Sequence, residues 1–279
     1  MPEQTGAPNL GALYLKAVAT TPTRRGGELP EREYVRRDVE VDRAHLAEYN
    51  RVCGFGLRDE LPPTYPHVLA FAMSVRLMTD SDFPFPLVGL VHVANTIEQS
   101  RPLRVDEPLT QRVRVADLRP HPKGRQFDVV TETSAGDEVV WREWSTYLRR
   151  GGSDDAEARG ERLPEPVGEP AASWPLDAGL GRRYARVSGD RNPIHLNPLT
   201  AKAFGFPRTI AHGMWSKARC LAALEGRIPD ACTIRTEFRK PVLLPSTVEF
   251  QVDSRDGGWD FALRSRRSPE KKHLVATVR

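Results

Sequence analysis

Apolar and polar residues alternate along the chain in a pattern that predicts the same helices twice. Asp42 can cap one amphipathic helix and Asp177 another, since each precedes apolar residues at helical spacing. The apolar positions are Leu46, Tyr49 and Val52 in the first helix and Leu180, Tyr184 and Val187 in the second. A more apolar helix is predicted to follow each of them, over residues 67–78 and over residues 212–224, the latter ending near Gly226.

The same pattern predicts four strands after each apolar helix. They cover residues 87–100, 109–115, 127–132 and 138–148 in the first half, and 233–238, 247–252, 259–264 and 273–278 in the second. One buried helix followed by antiparallel strands indicates a curved sheet wrapped around that helix. Two such sheets could join edge to edge, which would remove exposed strand edges.

Short sequence matches between the halves indicate a duplication. Residues 49–55 match 184–190, residues 61–67 match 206–212, and residues 101–103 match 240–242. The offsets are 135, 145 and 139 residues, so the order is kept and only loop lengths differ. Residues 151–170 are rich in Gly, Pro, Asp and Glu, which is typical of a solvated linker. We therefore expect one domain over residues 1–150 and a second over residues 171–279.

Composition narrows the class of protein. Hydrophobic residues make up 39% of the chain beside 21 glycines, which is typical of a globular protein and excludes a disordered one. The net charge of +4 is spread along the chain, which suits an anionic small molecule and gives no reason to expect a nucleic-acid partner. The polar residues 1–9 lack a signal peptide pattern, and the uncharged stretch 84–97 is too short to span a membrane. Three cysteines without a CxxC motif favour a reducing compartment, so we expect a cytoplasmic protein without a membrane partner.

The duplication is uneven at one place, and that place carries the candidate chemistry. Gly54 and His67 are separated by 13 residues, whereas the equivalent Gly189 and His212 are separated by 23. The ten extra residues fall within 190–206 and bring an acid, an amide and an imidazole together: Asp190, Asn192 and His195. A carboxylate and an imidazole on a rigid loop can hold one water and move its protons near neutral pH. The structural alternative is an Asx-turn at Asp190 with a packed His195, and the presence of the loop in one copy alone favours the chemical interpretation.

Gly213 opens the second apolar helix and is a candidate oxyanion donor. The first N–H groups of a helix lack intrahelical partners and lie at the positive end of its dipole. A carbonyl oxygen could approach Gly213 closely because this residue has no side chain, whereas the equivalent Val68 would crowd that approach. Close helix packing would also select glycine here, so both interpretations stay open.

These residues resemble a known signature. Tyr184-x-x-Val-Ser-Gly-Asp-x-Asn-Pro-Ile-His195, followed eighteen residues later by Gly213 in Ala-His-Gly-Met, resembles the motif of MaoC-like, type 2 (R)-specific enoyl-CoA hydratases. The whole chain, with its motif-free first half, is similar to the double-hotdog members, above all to actinobacterial 3-hydroxyacyl-thioester dehydratases of fatty-acid elongation. The resemblance implies an α+β double hotdog, with two antiparallel sheets each wrapped around a central helix. The first domain would be degenerate and the second catalytic, with an acyl tunnel between them.

The resemblance also implies roles for single residues. Asp190 and His195 would be the catalytic dyad, Gly213 the oxyanion donor, and Asn192 the residue that orients the loop and the water. The reaction would be the reversible syn addition of water to a trans-2-enoyl thioester, giving an (R)-3-hydroxyacyl thioester of coenzyme A or acyl carrier protein. No cofactor or metal is expected, and the seven histidines and three cysteines show no zinc-like spacing. Monomer and homodimer are both open.

Two other functions are consistent with the same pattern. A hotdog thioesterase would use the same helix N-terminus to hydrolyse the thioester, but the pairing of Asp190 with His195 argues against it. A non-catalytic acyl-binding subunit fits the first half, whereas the second half keeps every expected position.

Several other residues have weaker claims to function. His67 is expected to be structural, His92 to be a satisfied core or tunnel histidine, and Cys53 to be a packing residue. Arg182, Arg183, Lys271 and Lys272 could contact carrier phosphates, although a solvated charged surface is the favoured interpretation for each.

Overall fold

The fold is described here from a computed structural model, which covers residues 27–151, 162–255 and 257–279 together with Leu10 and Leu13. The polar segment 1–9 and residues 152–161 of the predicted linker lie outside the described residues. The first half contains β1 (Tyr34–Val39), α1 (Arg43–Cys53), α2 (Tyr65–Thr79), β2 (Leu90–Gln99), β3 (Leu109–His121), β4 (Gly124–Ala135) and β5 (Glu138–Arg150). The second half contains β6 (Ala172–Leu176), α3 (Leu180–Ser188), α4 (Pro193–Leu196), α5 (Pro198–Ala203), α6 (Gly213–Ala222), β7 (Cys232–Phe238), β8 (Ser246–Arg255), β9 (Gly258–Ser265) and β10 (Lys272–Val278).

The ten strands form one antiparallel sheet in the order β1-β3-β4-β5-β2-β7-β10-β9-β8-β6. Each half contributes five strands in the same internal order, which confirms that the chain contains one unit twice. The halves join where β2 pairs with β7, with Asn95 opposite Thr236 and Ile97 opposite Ile234. The predicted edge-to-edge junction is therefore confirmed, and the architecture is an α+β double hotdog.

The central helix of each half packs on the concave side of its own strands. Helix α2 contacts β3 and β4, and α6 contacts β9 and β10. Met73 and Leu77 of α2 are buried, as are most residues around the helix, which explains why its apolar residues form no single stripe. Truncating such a side chain to alanine typically costs about 2–5 kcal/mol, so this packing holds the sheet to the helix.

The helix starts differ in detail from the sequence prediction. Asp42 caps α1 as predicted, since its Oδ1 accepts hydrogen bonds from the N–H groups of Ala44 and His45 at 2.8 and 3.2 Å. Asp177 does not cap α3: the cap position is Gly179, whose N–H donates to Asp177 Oδ1 at 2.7 Å. Two intervening residues form a turn, so the Asp177 carboxylate stabilises the turn before the helix instead of the helix end.

The described part of the predicted linker is held by the second half. The N–H of Leu163 donates to Glu237 Oε1 at 3.1 Å, and the N–H of Val167 donates to Asp253 Oδ2 at 2.7 Å. Glu165 forms ion pairs with Arg239 and Lys272. Residues 162–170 thus lie along β7, β8 and β10 and are not a purely solvated segment.

The buried thiols behave as the packing interpretation predicts. Cys53, Cys220 and Cys232 are buried and unpaired, and burial raises the pKa of Cys53 far above that of a free thiol. Such a thiol remains protonated and unreactive at neutral pH. Within the described ranges, the structure contains no helix with the length and apolar character needed to cross a bilayer.

Candidate active site

The insertion in the second half folds into α4 and α5, which place Asp190 beside two imidazoles. Helix α3 ends at Gly189, whose backbone is left-handed with a φ of 75°, and Asp190 follows it directly. Asp190 Oδ1 accepts a hydrogen bond from the N–H of Asn192 at 3.1 Å. Asn192 in turn caps α4 through a 3.4 Å hydrogen bond from the N–H of Ile194 to its Oδ1. The Asx-turn of the structural alternative is therefore present, and it leaves Oδ2 of Asp190 directed at the imidazoles.

Helix α4 lies against α3 because Gly181 has no side chain. A Cβ atom at Gly181 would lie 2.2 Å from the carbonyl oxygen of His195, which is far too close for any substituted residue. The first half has Leu46 at the equivalent position of α1. On that face of α1 lies an open hollow of about 360 Å³, lined by Leu46, Ala47, Asn50 and neighbouring residues.

His195 has a defined orientation. Its Nδ1 lies 2.8 Å from the carbonyl oxygen of Ile210, which can only accept a hydrogen bond, so Nδ1 carries a proton. Nε2 therefore carries the lone pair of the neutral ring, and it lies 4.0 Å from Asp190 Oδ2. Burial lowers the pKa of His195, and the nearby Asp190 and Ile210 carbonyl oppose that shift only in part. The ring is neutral at physiological pH and faces the carboxylate as an acceptor.

His212 is a member of the site that the sequence analysis named only as the start of a helix. Its Nε2 donates to the backbone carbonyl of Asp190 at 3.0 Å, and its ring stacks on His195 with centroids 3.6 Å apart. Burial, and next the adjacent His195, lower the pKa of His212 to about 3. A neutral, immobilised ring thus holds both Asp190 and His195. Its position directly before Gly213 is the only sequence signal for this role.

Gly213 begins α6, so its N–H lacks an intrahelical partner, as the sequence predicts. A Cβ atom at this position would lie 3.1 Å from the ring of Phe238, so close packing also requires glycine. The packing interpretation is therefore supported, and the role as oxyanion donor stays a prediction. Val68 is not at the start of its helix as Gly213 is, because α2 begins at Tyr65 and Val68 lies about one turn inside it.

An aromatic wall lies beside the site and contains Phe71, His92 and Tyr147 of the first half and Phe238 of β7. His92 stacks on Tyr147 with centroids 4.7 Å apart and contacts Phe238 at 4.9 Å. Phe71 lies 3.7 Å from the position of a Cβ atom on Gly189. The wall therefore touches the catalytic loop at one end and the start of α6 at the other.

Most of the basic residues proposed to meet a carrier are engaged within the protein. Arg183 pairs with Asp177 at 2.5 Å, and Arg182 donates to the carbonyl of Leu196 at 3.3 Å. Lys272 pairs with Glu165. These contacts support the interpretation of a charged surface.

The donor set of the site also has the composition of a cation site. Single ligand atoms of Asp190, His195 and His212 all lie within 4.8 Å of one another, a proximity that sequence spacing does not indicate. Nε2 of His212 already donates to the Asp190 carbonyl, and this bond would be lost if that atom bound a cation. The contacts therefore favour a water over a metal ion as the species between these groups.

Comparison with known proteins identifies relatives that are similar in sequence and in fold. Residues 169–264 match the profile of the MaoC like domain. The chain is 40% identical over 284 residues to 3-hydroxyacyl-thioester dehydratase X of Mycobacterium tuberculosis, covering 100% of this chain and 99% of that protein. The crystal structure of HtdX from the same organism superposes with a TM-score of 0.79 at 41% identity, covering 89% of this chain and 99% of the other.

A second relative from the same organism is less similar to this chain in sequence. 3-Hydroxyacyl-thioester dehydratase Y of Mycobacterium tuberculosis is 29% identical over 210 residues, which span 69% of this chain and 70% of that protein. The matched domain contains Asp190, His195 and Gly213, and the alignment to the first relative spans the entire chain. The chain therefore belongs to the MaoC-like dehydratase family.

Proposed function

We propose that this protein is a hydro-lyase that catalyses the reversible hydration of trans-2-enoyl thioesters to (R)-3-hydroxyacyl thioesters in fatty-acid metabolism or elongation. The proposed carrier of the acyl group is coenzyme A or acyl carrier protein. Asp190 and His195 are the proposed catalytic dyad, Gly213 the oxyanion donor, and Asn192 the residue that fixes the loop. All four proposed residues lie in the second half of one chain. Three buried, unpaired cysteines favour a reducing compartment such as the cytoplasm.

The observation that supports this function most strongly is the 4.0 Å separation between Asp190 Oδ2 and His195 Nε2. The separation is too long for a direct hydrogen bond, but a water can lie about 2.8 Å from both atoms. Both atoms can accept a hydrogen bond, because the His195 proton is held on Nδ1 by Ile210. A water between them has both protons engaged and presents a lone pair for attack.

Proton transfer then balances within the dyad. The water oxygen forms a bond to C3 while the C2–C3 double bond becomes an enolate, and one water proton passes to the dyad. The dyad returns a proton to C2 on the same face, so addition is syn and both side chains regain their starting protonation states. In the dehydration direction the same steps run backwards.

The enolate oxygen is the charge that must be stabilised. Gly213 N–H lies at the positive end of α6 and is adjacent in the chain to His212, which holds the Asp190 backbone. A thioester carbonyl placed at this N–H brings C3 toward the dyad. Preorganised donors of this kind commonly contribute 10²–10³ in kcat.

The test is to follow product type with matched substrates. Wild-type protein should consume crotonyl-CoA or a longer trans-2-enoyl-CoA with loss of enoyl absorbance and without release of free thiol. Chiral analysis of the product should give the (R)-3-hydroxyacyl thioester. Release of thiol at the rate of substrate loss would instead identify a thioesterase. No turnover across a chain-length series would identify an acyl-binding module.

A further inference from the structure

A chain of buried polar side chains crosses the junction between the two halves and ends beside the aromatic wall. It runs from Lys217 on α6 through Asn95 on β2 and Glu143 on β5 to His67 on α2. The exposed fractions of these four side chains are 0%, 0%, 2% and 8%. Burial of so many polar groups is costly unless each has a partner, so their arrangement requires an explanation.

Each link in this chain is a short hydrogen bond. Lys217 Nζ donates to Asn95 Oδ1, and Asn95 Nδ2 donates to Glu143 Oε1 at 2.6 Å. His67 Nδ1 lies 2.9 Å from Glu143 Oε2. Burial raises the pKa of Glu143, but His67, Asn95 and Lys217 together lower it further, so the net shift is downward. Glu143 is therefore ionised, and both of its oxygens are occupied as acceptors.

This arrangement fixes the tautomer of His67. An ionised carboxylate can only accept, so Nδ1 of His67 carries a proton, and in the neutral ring Nε2 carries the lone pair. The described residues provide no hydrogen-bond partner for Nε2, although His67 is more than nine-tenths buried. An oriented histidine–carboxylate pair therefore ends in one available acceptor. The sequence analysis expects His67 to be structural, and this acceptor is the reason to assign it more.

The position of His67 relates that acceptor to the proposed active site. Its ring lies 5.8 Å from Phe71 and 6.5 Å from His92, both members of the aromatic wall. The wall touches Gly189 beside Asp190 at one end, and the start of α6 at Gly213 at the other. Because the carrier arm of a thioester must lead to solvent, the acyl chain is the part of the substrate expected to extend toward the buried His67.

A saturated alkyl chain would leave Nε2 of His67 unsatisfied, whereas a hydroxyl group would satisfy it. His92 strengthens the same preference, since its Nε2 is buried and has no hydrogen-bond partner among the described residues. We propose that His67, oriented by Glu143, accepts a hydrogen bond from a hydroxyl group carried on the acyl chain beyond C3. This inference rests on the proposed hydration of acyl thioesters and adds a substrate class to it.

The test compares eight-carbon trans-2-enoyl-CoA substrates that differ only in a single hydroxyl at successive carbons beyond C4. The quantity measured is the ratio of kcat/KM for each hydroxylated substrate to that for the unsubstituted one. One neutral hydrogen bond predicts a wild-type ratio of roughly fivefold to tenfold at the best position. The ratio should fall to about one or below in His67→Phe and should be partly kept in His67→Gln, whose amide oxygen accepts. His121→Phe, at the end of β3, is the matched control and should keep the wild-type ratio.

Both rates in the ratio are measured on the same variant. A variant that is less stable lowers both rates equally, so its ratio does not change for that reason. If His67→Phe does not fold, His67→Gln and Glu143→Gln provide the test, the latter by releasing the tautomer of His67. Absence of a preference at every position in wild type, or a preference unchanged in the His67 variants, would show that the buried chain only joins the halves. In that case, hydration of the unsubstituted substrate that is lost in Asp190→Asn would leave the proposed function intact. Failure of wild type on all substrates would reject both.

Discussion

At the scale of single residues, two hydrogen bonds to backbone carbonyls determine how the dyad is presented. Ile210 fixes the proton of His195 on Nδ1, and His212 holds the carbonyl of Asp190. Replacing Asp190 with Asn keeps the size and the Asx-turn but removes the basic carboxylate. We expect Asp190→Asn to lower kcat by about 10²-fold or more. Steady-state hydration kinetics measure this, with circular dichroism as a check on folding, and near-normal turnover would refute the assignment.

The proposed mechanism uses the neutral form of His195, which sets a direction for pH dependence. Burial lowers its pKa below the ordinary 6.5, and protonation would fill the lone pair that holds the water. The ring is therefore active above its pKa, and kcat/KM should fall as pH decreases, with a midpoint below 6.5. His212, with a pKa of about 3, stays neutral over this range. A kcat/KM profile from pH 8 to pH 5 measures the midpoint, and a rate that rises toward acid would contradict the tautomer described here.

Gly213 combines a packing role with a chemical one, and a second substitution separates them. In Gly213→Ala the new Cβ meets the Phe238 ring at 3.1 Å, so we expect a reduced kcat and a lower melting temperature. Adding Phe238→Leu removes the contact and should restore stability. If kcat recovers equally, packing alone selected glycine, whereas a kcat that remains low shows that the carbonyl approach needs glycine as well.

The sequence could predict Asp190, Asn192, His195 and Gly213 because they lie in one short segment with a recognisable spacing. The contact of His212 with the Asp190 carbonyl could not be predicted, since it depends on the turn between α5 and α6. Glu143 and His67 are 76 residues apart, and only the register of β5 against α2 brings them to 2.9 Å. Long-range polar pairs of this kind leave no local pattern.

At the scale of elements, the packing of α4 against α3 positions the proposed dyad. In Gly181→Ala the Cβ would lie 2.2 Å from the His195 carbonyl, a backbone atom that cannot move without displacing α4. We expect a loss of about 1–3 kcal/mol in unfolding free energy together with a fall in kcat that exceeds any change in KM. Urea unfolding and steady-state kinetics measure the two effects. Ala47→Ser on α1 is the control, and an unchanged kcat in Gly181→Ala would show that the loop is positioned by other contacts.

The elements that the sequence analysis missed have a common physical property. Strands β1 and β6 are the two edges of the sheet, and each has two exposed residues, so the apolar pattern is weak. Pro175 in β6 argues against a strand when the sequence alone is considered. An edge strand nevertheless tolerates a residue without an N–H. The eight inner strands were predicted because their buried faces give strong alternation, and several extend a few residues further than predicted.

At the scale of the whole molecule, buried neutral histidines couple folding to pH. The pKa of His212 is lowered to about 3 by burial and by His195, and that of His92 to about 3 by burial and by His67. Below pH 6.5 these histidines bind protons in the unfolded chain but stay neutral in the folded chain. The free energy of unfolding therefore decreases as pH falls. His212 alone should reduce the unfolding free energy by about 2 kcal/mol between pH 6.5 and pH 5. Urea unfolding at these two pH values measures the loss, and His92→Phe should make it smaller; an equal loss in that variant would contradict a buried neutral His92.

The duplicated fold has one further consequence, which follows from Gly181 and its counterpart Leu46. After duplication, the side chain at this single position determines whether a helix can accept the loop that carries an acid and an imidazole. In the first half this position is occupied by Leu46, which lines a surface hollow. The proposed site occurs in the second half alone, so titration with a tight inhibitor should saturate at one equivalent per chain. Building a second centre into this scaffold would have to begin by replacing Leu46 with glycine.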